Sequence, residues 1–207
     1  IQSYYLDHGY VDVQVLAPQT HFNADQSKVD LTFRIKEGLQ YRLGHVALAP
    51  GAPHAQALKP LLQGMQSGQI YVRTRLLKLL QDLSEYFLER GYAHVRIKPV
   101  LSLDRKQRQV NVRFTVDPGP LVSVRAIPFC GNTITQDRVL RREFLQYESA
   151  LFSSRLIQES VRRVNNLGYV RGAQCQPVDV TNRLATVDLD CFVTEAPSIS
   201  MGIAAGY

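Results

Sequence analysis

Residues 124–169, VRAIPFCGNTITQDRVLRREFLQYESALFSSRLIQESVRRVNNLGY, decide how the rest of the chain is read. Val122, Val124, Ala126 and Pro128 alternate as a half-buried strand does, and Gly131-Asn132 supplies a turn. Thr133 or Thr135 is placed to cap a helix whose Val139, Leu140, Phe144 and Leu145 recur at helical spacing. Ser153 or Ser154 is placed to cap a second helix, with Ile157, Val161, Val164 and Leu167 as its apolar stripe. Gly168 stands where a helix commonly ends on a left-handed residue. Two strand-like runs follow.

Outward from this stretch the pattern recurs. IQSYYLDHGY at 1–10, LSEYFLERGY at 83–92 and RRVNNLGY at 162–169 place Gly9, Gly91 and Gly168 at intervals of 82 and 77 residues. A second marker keeps the same period: KVDLTFRIKEG at 28–38, QVNVRFTVDPG at 109–119 and TVDLDCFVTEA at 186–196. Self-similarity at a fixed period marks a tandem array, and units of about 80 residues can each hold a core.

The middle unit gives the order of parts. Residues 41–49 read as a strand, 50–53 break the chain, and short and long helices fit 55–65 and 73–90. The longer helix has Leu76, Leu80, Leu83 and Phe87 as its stripe. Val95, Ile97, Leu101 and Leu103 then alternate, as do Val110, Val112, Phe114 and Val116, around a polar loop at 104–108. The unit is β-α-α-β-β, a three-stranded sheet with two helices on one face. The expected domains are a partial repeat at 1–38, a complete repeat at 39–119, a last repeat at 120–196, and the start of another strand at 197–207. In the partial repeat, Val11, Val13 and Val15 form one strand, and Val29, Leu31, Phe33 and Ile35 the other. In the final stretch Ile199, Met201, Ile203 and Tyr207 alternate with Ser198, Ser200, Gly202 and Gly206. That is the pattern of a strand with one side in lipid, and its length suits the roughly 9–11 residues of a tilted membrane strand.

The chain has 207 residues, 45% of them hydrophobic, and a formal charge of +6, which favours acidic partners weakly. No apolar run approaches the roughly 20 residues of a membrane helix. The opening Ile1-Gln-Ser-Tyr-Tyr reads as the middle of a helix, so the sequence is expected to be a piece of a longer protein. No HExxH, GxSxG, GxxxxGK or CxxC occurs, and His8, His21, His45, His54 and His94 are scattered without ligand spacing. No catalytic residue, metal site or cofactor is expected. Arg105, Lys106 and Arg108, and Arg141 with Arg142, read as solvated basic faces. Cys130, Cys175 and Cys191 are odd in number, so at least one is free or pairs between chains. Cys175 and Cys191 fall on neighbouring strands, which leaves a bridge between them open and the redox compartment undecided.

GNTITQDRVLRREF at 131–144 and SSRLIQESVRRVNNLGY at 153–169, followed by a hairpin and SISMGIAAGY at 198–207, resemble one known family. They look like the last polypeptide-transport-associated (POTRA) repeat and the barrel opening of the BamA family of outer-membrane β-barrel assembly factors. YFLERGY at 86–92 and VRFTVDPG at 112–119 resemble the preceding repeats. Cys130, Cys191 and the Pro197-Ser198 pair depart from the family pattern. The resemblance implies an α+β tandem of POTRA repeats leading into the first strand of an outer-membrane β-barrel. It implies a non-enzymatic arm at the periplasmic face of the bacterial outer membrane. Its expected partners are unfolded outer-membrane proteins, accessory outer-membrane lipoproteins and, through a barrel, the membrane itself, with no nucleic acid and no small-molecule substrate.

With the third strand of a unit central, the second is an edge that an extended client strand can join. In the middle repeat that edge is Val95, Arg96, Ile97, Lys98, Val100 and Leu101. The resemblance further implies lipoprotein docking at Arg141, Arg142 and Glu148, and a membrane strand with Ile199, Met201, Ile203 and Tyr207 toward lipid. The alternative within the fold is the POTRA region of a secretion pore or an autotransporter-assembly paralogue. A more remote one is a KH-like nucleic-acid-binding tandem. KH domains clamp the backbone with a GxxG loop, whereas the glycines between the helices here, Gly64 and Gly68, are four apart, and residues 148–151 hold none.

Overall fold

Gly9 closes the opening helix, α1 (Gln2–Asp7), in the left-handed region at φ 87°. Its carbonyl accepts the N–H of Tyr41 at 2.8 Å, and a Cβ here would stand 2.7 Å from the Tyr41 carbonyl oxygen. Gly91, at φ 96°, repeats the arrangement, its carbonyl accepting the N–H of Val122 at 2.8 Å. The recurring glycine is thus where one repeat bonds to the start of the next, in a backbone geometry that glycine alone adopts freely. Gly168 departs from this. Its φ is not positive, nothing lies within 4 Å of its Cβ position, and the preceding helix ends on Asn166 in right-handed geometry. The left-handed terminus expected at Gly168 is absent because the Asn166 N–H already closes the helix on the Arg162 and Arg163 carbonyls, each at 3.1 Å.

The computed structural model describes residues 1–22, 25, 27–181 and 185–196; the strand expected at 197–207 lies outside them. The chain forms two compact units, residues 1–83 with 97–117 and residues 84–96 with 118–207.

In the first unit, β1 (Gln14–Val15) pairs with β4 (Ile35–Lys36), and β2 (Gln19–Phe22) with β3 (Val29–Thr32). The strand expected from Val11 therefore begins only at Gln14, and Val29, Leu31 and Phe33 stay exposed. β5 (Arg42–Leu48), α2 (Ala55–Gln63), α3 (Arg73–Leu88), β6 (Arg96–Asp104) and β7 (Gln109–Asp117) give the β-α-α-β-β order. The last strand lies in the middle, β5-β7-β6, with β5 parallel to β7. Val110, Val112 and Phe114 of β7 are buried while Arg113 and Thr115 are exposed, the period-two pattern of a one-sided core. Leu58 of α2 and Leu76, Leu79 and Leu83 of α3 are buried too; Leu79 takes the place expected of Leu80, which is only half-buried. Asp7 accepts the backbone N–H and the hydroxyl of Thr74, at 2.8 and 2.7 Å, and so caps the first turn of α3.

The second unit holds β8 (Ser123–Val124), β9 (Phe129–Cys130), α4 (Asp137–Glu143), α5 (Ser154–Asn165), β10 (Val170–Asp179) and β11 (Thr186–Glu195). β11 is again central, antiparallel to β10 and parallel to β8 and β9. Its core joins Val122, Val124, Leu140, Ile157, Val187 and Leu189. Ser153 caps α5 by accepting the Leu156 N–H at 3.4 Å. Neither Thr133 nor Thr135 caps α4, whose preceding residue is Gln136; both threonines are held elsewhere, by Glu195. Cys175 and Cys191 face each other across β10 and β11 and are disulfide-bonded, and Cys130 is free and exposed.

Candidate functional site

A groove of about 410 Å³ opens beside β9 on the last repeat, lined by Ile127, Phe129, Arg141, Phe144, Gln146, Tyr147 and Glu148. Its shape starts with Gln146, a polar side chain only 1% exposed. The Gln146 amide donates to the Leu151 carbonyl at 3.0 Å, and its Oε1 accepts the Ser153 N–H at 3.0 Å. These bonds fold residues 147–152 into a fixed loop with Tyr147 and Glu148 turned outward. Ser149 takes a left-handed φ of 65° within it.

Arg141 is the hub. It donates to Asp137 at 2.8 Å, to Glu148 Oε1 at 3.0 Å and to the Ile127 carbonyl at 3.0 Å, and its guanidinium lies 5.4 Å from the Phe129 ring centroid. Glu148 Oε1 also accepts the Ile127 backbone N–H at 3.0 Å. That bond, followed by Arg141, holds the Glu148 carboxyl below its ordinary pKa. Asp137 first, then Glu148, raises the Arg141 guanidinium above its own. The expected docking residues therefore divide. Arg141 and Glu148 bond to each other and to Ile127, which lies between β8 and β9, whereas Arg142 is exposed and its side chain makes no hydrogen bond or ion pair among the described residues.

Of the expected client edge, Arg96, Ile97, Lys98, Val100 and Leu101 lie on β6, an outer strand, with Val95 just before it. Arg96, Lys98, Val100 and Leu101 are exposed, and Pro99 interrupts the strand's run of N–H donors. The membrane residues Ile199, Met201, Ile203 and Tyr207 lie outside the described residues. Among the described residues no group of His, Cys, Asp or Glu could hold a metal ion.

Gln146, Tyr147 and Ile127 escaped the sequence reading, as did two acidic residues. Asp137 was findable, four residues ahead of Arg141 on a helix. Glu195 was not: it accepts the backbone N–H groups of Thr133, Ile134 and Thr135 from 60 or more residues away.

Against known proteins, the POTRA family model, described as surface antigen variable number repeat, matches residues 1–38, 54–119 and 122–196. The outer membrane protein assembly factor BamA of Neisseria meningitidis serogroup B is 29% identical over the whole chain, which covers 26% of that relative. BamA of Buchnera aphidicola is 24% identical, again over the whole chain and 34% of the relative. The chain thus spans about a quarter to a third of the length of these curated relatives. The crystal structure of Haemophilus influenzae BamA POTRA3-5 superposes with a TM-score of 0.87 at 26% identity, covering 94% of this chain and 77% of that one. BamA of Haemophilus ducreyi lacking POTRA domains 1-3 shares the fold at a TM-score of 0.63 over 75% of this chain and 30% of that one, at 24% identity. Three family matches along one chain, each on a stretch with the recurring strand and glycine markers, place it plainly: the chain belongs to the POTRA family.

Proposed function

We propose that these repeats are the periplasmic arm beside the barrel of an outer-membrane protein assembly factor, receiving unfolded β-barrel proteins by strand addition and docking accessory lipoproteins on the last repeat. The observation that carries this reading is the sheet order, in which the central strand of each complete repeat is its last, so that outer strands such as β5, β6 and β10 have an edge without a further strand on it. Such an edge recognises an extended chain through its main chain, whatever its side chains, which suits a carrier of many clients. The similarity to BamA POTRA3-5 supports the same reading. The Cys175–Cys191 bridge supports an oxidising compartment such as the periplasm. Lipoprotein docking finds support in the groove beside β9, where exposed Tyr147 stands next to a fixed pair of opposite charges.

The immobilised chain should retain a urea-unfolded outer-membrane barrel protein on dilution and release the folded barrel. Equal retention of an unfolded all-helical protein would overturn strand addition. Tyr147→Ala should abolish co-purification of a lipoprotein with the full-length protein while its expression stays normal; unchanged co-purification would move the docking site elsewhere.

A further inference from the structure

The first strands of the two complete repeats are built alike at their outer edges. Leu43 donates its N–H to the Gln69 carbonyl at 2.7 Å and accepts the Gly68 N–H at 2.8 Å. Val124 donates to the Ala150 carbonyl at 2.9 Å and accepts the Ser149 N–H at 2.7 Å. Gly68 and Ser149 are both left-handed, at φ 89° and 65°. Leu43 and Val124 are therefore counterparts, and three residues on, so are Val46 and Ile127. By the same count Ser67 matches Glu148. Lys59 matches Arg141, each following a fully buried leucine, Leu58 or Leu140.

What happens at the two counterparts differs. In the last repeat Glu148 takes the Ile127 N–H and Arg141 donates to the Ile127 carbonyl, both at 3.0 Å. Those are the two groups an added strand would use. In the middle repeat no hydrogen bond closes the outer edge of Val46 or Leu48 among the described residues. Ser67 is too short to reach, turning its hydroxyl to the Leu43 carbonyl at 3.5 Å, and Lys59 lacks the forked donors of arginine. Beside this open edge lies a groove of about 560 Å³ lined by Val46, Leu48, Ala52, Ala55 and Leu62, with Lys59 at the rim.

We propose that the outer edge of β5 from Val46 to Leu48, with the groove against α2, takes an extended segment of an unfolded outer-membrane protein, and that Arg141 and Glu148 close the same edge of the last repeat from within. This rests on the reading of the chain as a client-binding arm. The edge already accepts antiparallel chain, for Gly68, Gln69 and Tyr71 pair along Tyr41 and Leu43 up to the register shift between Leu43 and Val46. An incoming strand continues that pairing. A segment alternating apolar and polar residues, as barrel strands do, lays its apolar side into the groove and its polar side in water. The other outer strand, β6, is less receptive, because Pro99 has no N–H to give and Lys98 is an edge lysine of the kind that discourages strand addition.

The test uses a synthetic peptide of about ten alternating apolar and polar residues and amide hydrogen exchange on the chain. The peptide should slow exchange at Val46 and Leu48. Lys59→Arg with Ser67→Glu, which installs the last repeat's closure, should weaken peptide binding roughly tenfold, the effect of losing one or two backbone hydrogen bonds, with the thermal midpoint retained. Arg141→Lys with Glu148→Ser should extend peptide protection to Ile127. Protection on β6 in place of β5 would overturn this assignment and leave the client-binding reading standing. No protection anywhere would overturn both. Unaltered affinity in the folded Lys59→Arg, Ser67→Glu variant would also sink it.

Discussion

Glu195 and Thr135 lie 60 residues apart in sequence and 2.6 Å apart in space, the carboxylate of one accepting the backbone N–H of the other. Ile134 and Thr133 add their N–H groups at 3.0 and 3.1 Å, and the Thr133 hydroxyl donates at 2.9 Å. Successive backbone donors of this kind form a concave nest for an anion, and here the anion is the last residue of β11.

The Thr135 side chain and backbone first, then Ile134 and Thr133, hold the Glu195 carboxyl at a pKa of about 2, below its ordinary 4.5. A depressed carboxylate adds stability that is complete above the unfolded value and is lost as pH falls through the folded one. Glu195→Gln should therefore lower the urea midpoint by a constant amount above about pH 5. The gap to the parent should close between pH 4.5 and about 2. Urea titrations by circular dichroism across that range check it, and a gap independent of pH would refute it.

Gly131 and Gly168 should respond oppositely to alanine. Gly131 sits at φ 88°, and a Cβ there would collide with the Val193 carbonyl oxygen, a backbone atom that cannot step aside. Gly131→Ala should cost more than about 2 kcal/mol. Gly168→Ala meets open space at an ordinary φ, so it should be neutral or add a few tenths of a kcal/mol. Paired chemical denaturation of the two variants decides.

Replacing Cys175 and Cys191 together by serine opens a link between residues 16 apart. Loop entropy for a segment of that size is about 3 kcal/mol. Reductant should lower the parent's thermal midpoint to that of the double variant, while Cys130→Ser, changing an exposed free thiol, leaves it in place. Calorimetry with and without reductant reads both.

Glu148→Lys places a second cation beside Arg141 and leaves the Ile127 N–H without its acceptor. It should lower stability by about 1–2 kcal/mol, so lost lipoprotein binding in that variant would not by itself identify a contact. Glu148→Gln keeps an oxygen for the Ile127 N–H and drops the charge. It should melt within about 0.5 kcal/mol of the parent, and a pull-down with it isolates the role of the charge.

Much of the fold was legible because its signals are local. Alternation at Val110, Val112 and Phe114 marked a strand, and the stripe from Leu76 to Phe87 marked a helix to within two residues. The markers around Gly9 and Gly91 gave the period, and the structure supplies their reason in the bonds to Tyr41 and Val122. Gly168 misled because glycine permits a left-handed turn without demanding one. Thr133 and Thr135 looked like helix caps because the competing acceptor, Glu195, lies far along the chain. Arg141 and Glu148 were singled out as a surface for others. Nothing within the sequence around them says that both also bond to Ile127, since that depends on the backbone between β8 and β9 meeting a loop folded by Gln146.

In each complete repeat the strand that everything else pairs with is the one delivered last. β8 ends at Val124 and must wait until Thr186 and Val187 exist beside it, and β10 needs the same strand on its other side. A nascent last repeat thus holds β8, β9, β10 and two helices with no sheet to close on until the ten residues of β11 arrive. Closure at that distance in sequence carries a loop-entropy cost that local helix contacts do not repay early. Such a repeat cannot mature piecemeal, because the strand that completes its sheet is also the last part of it to be made.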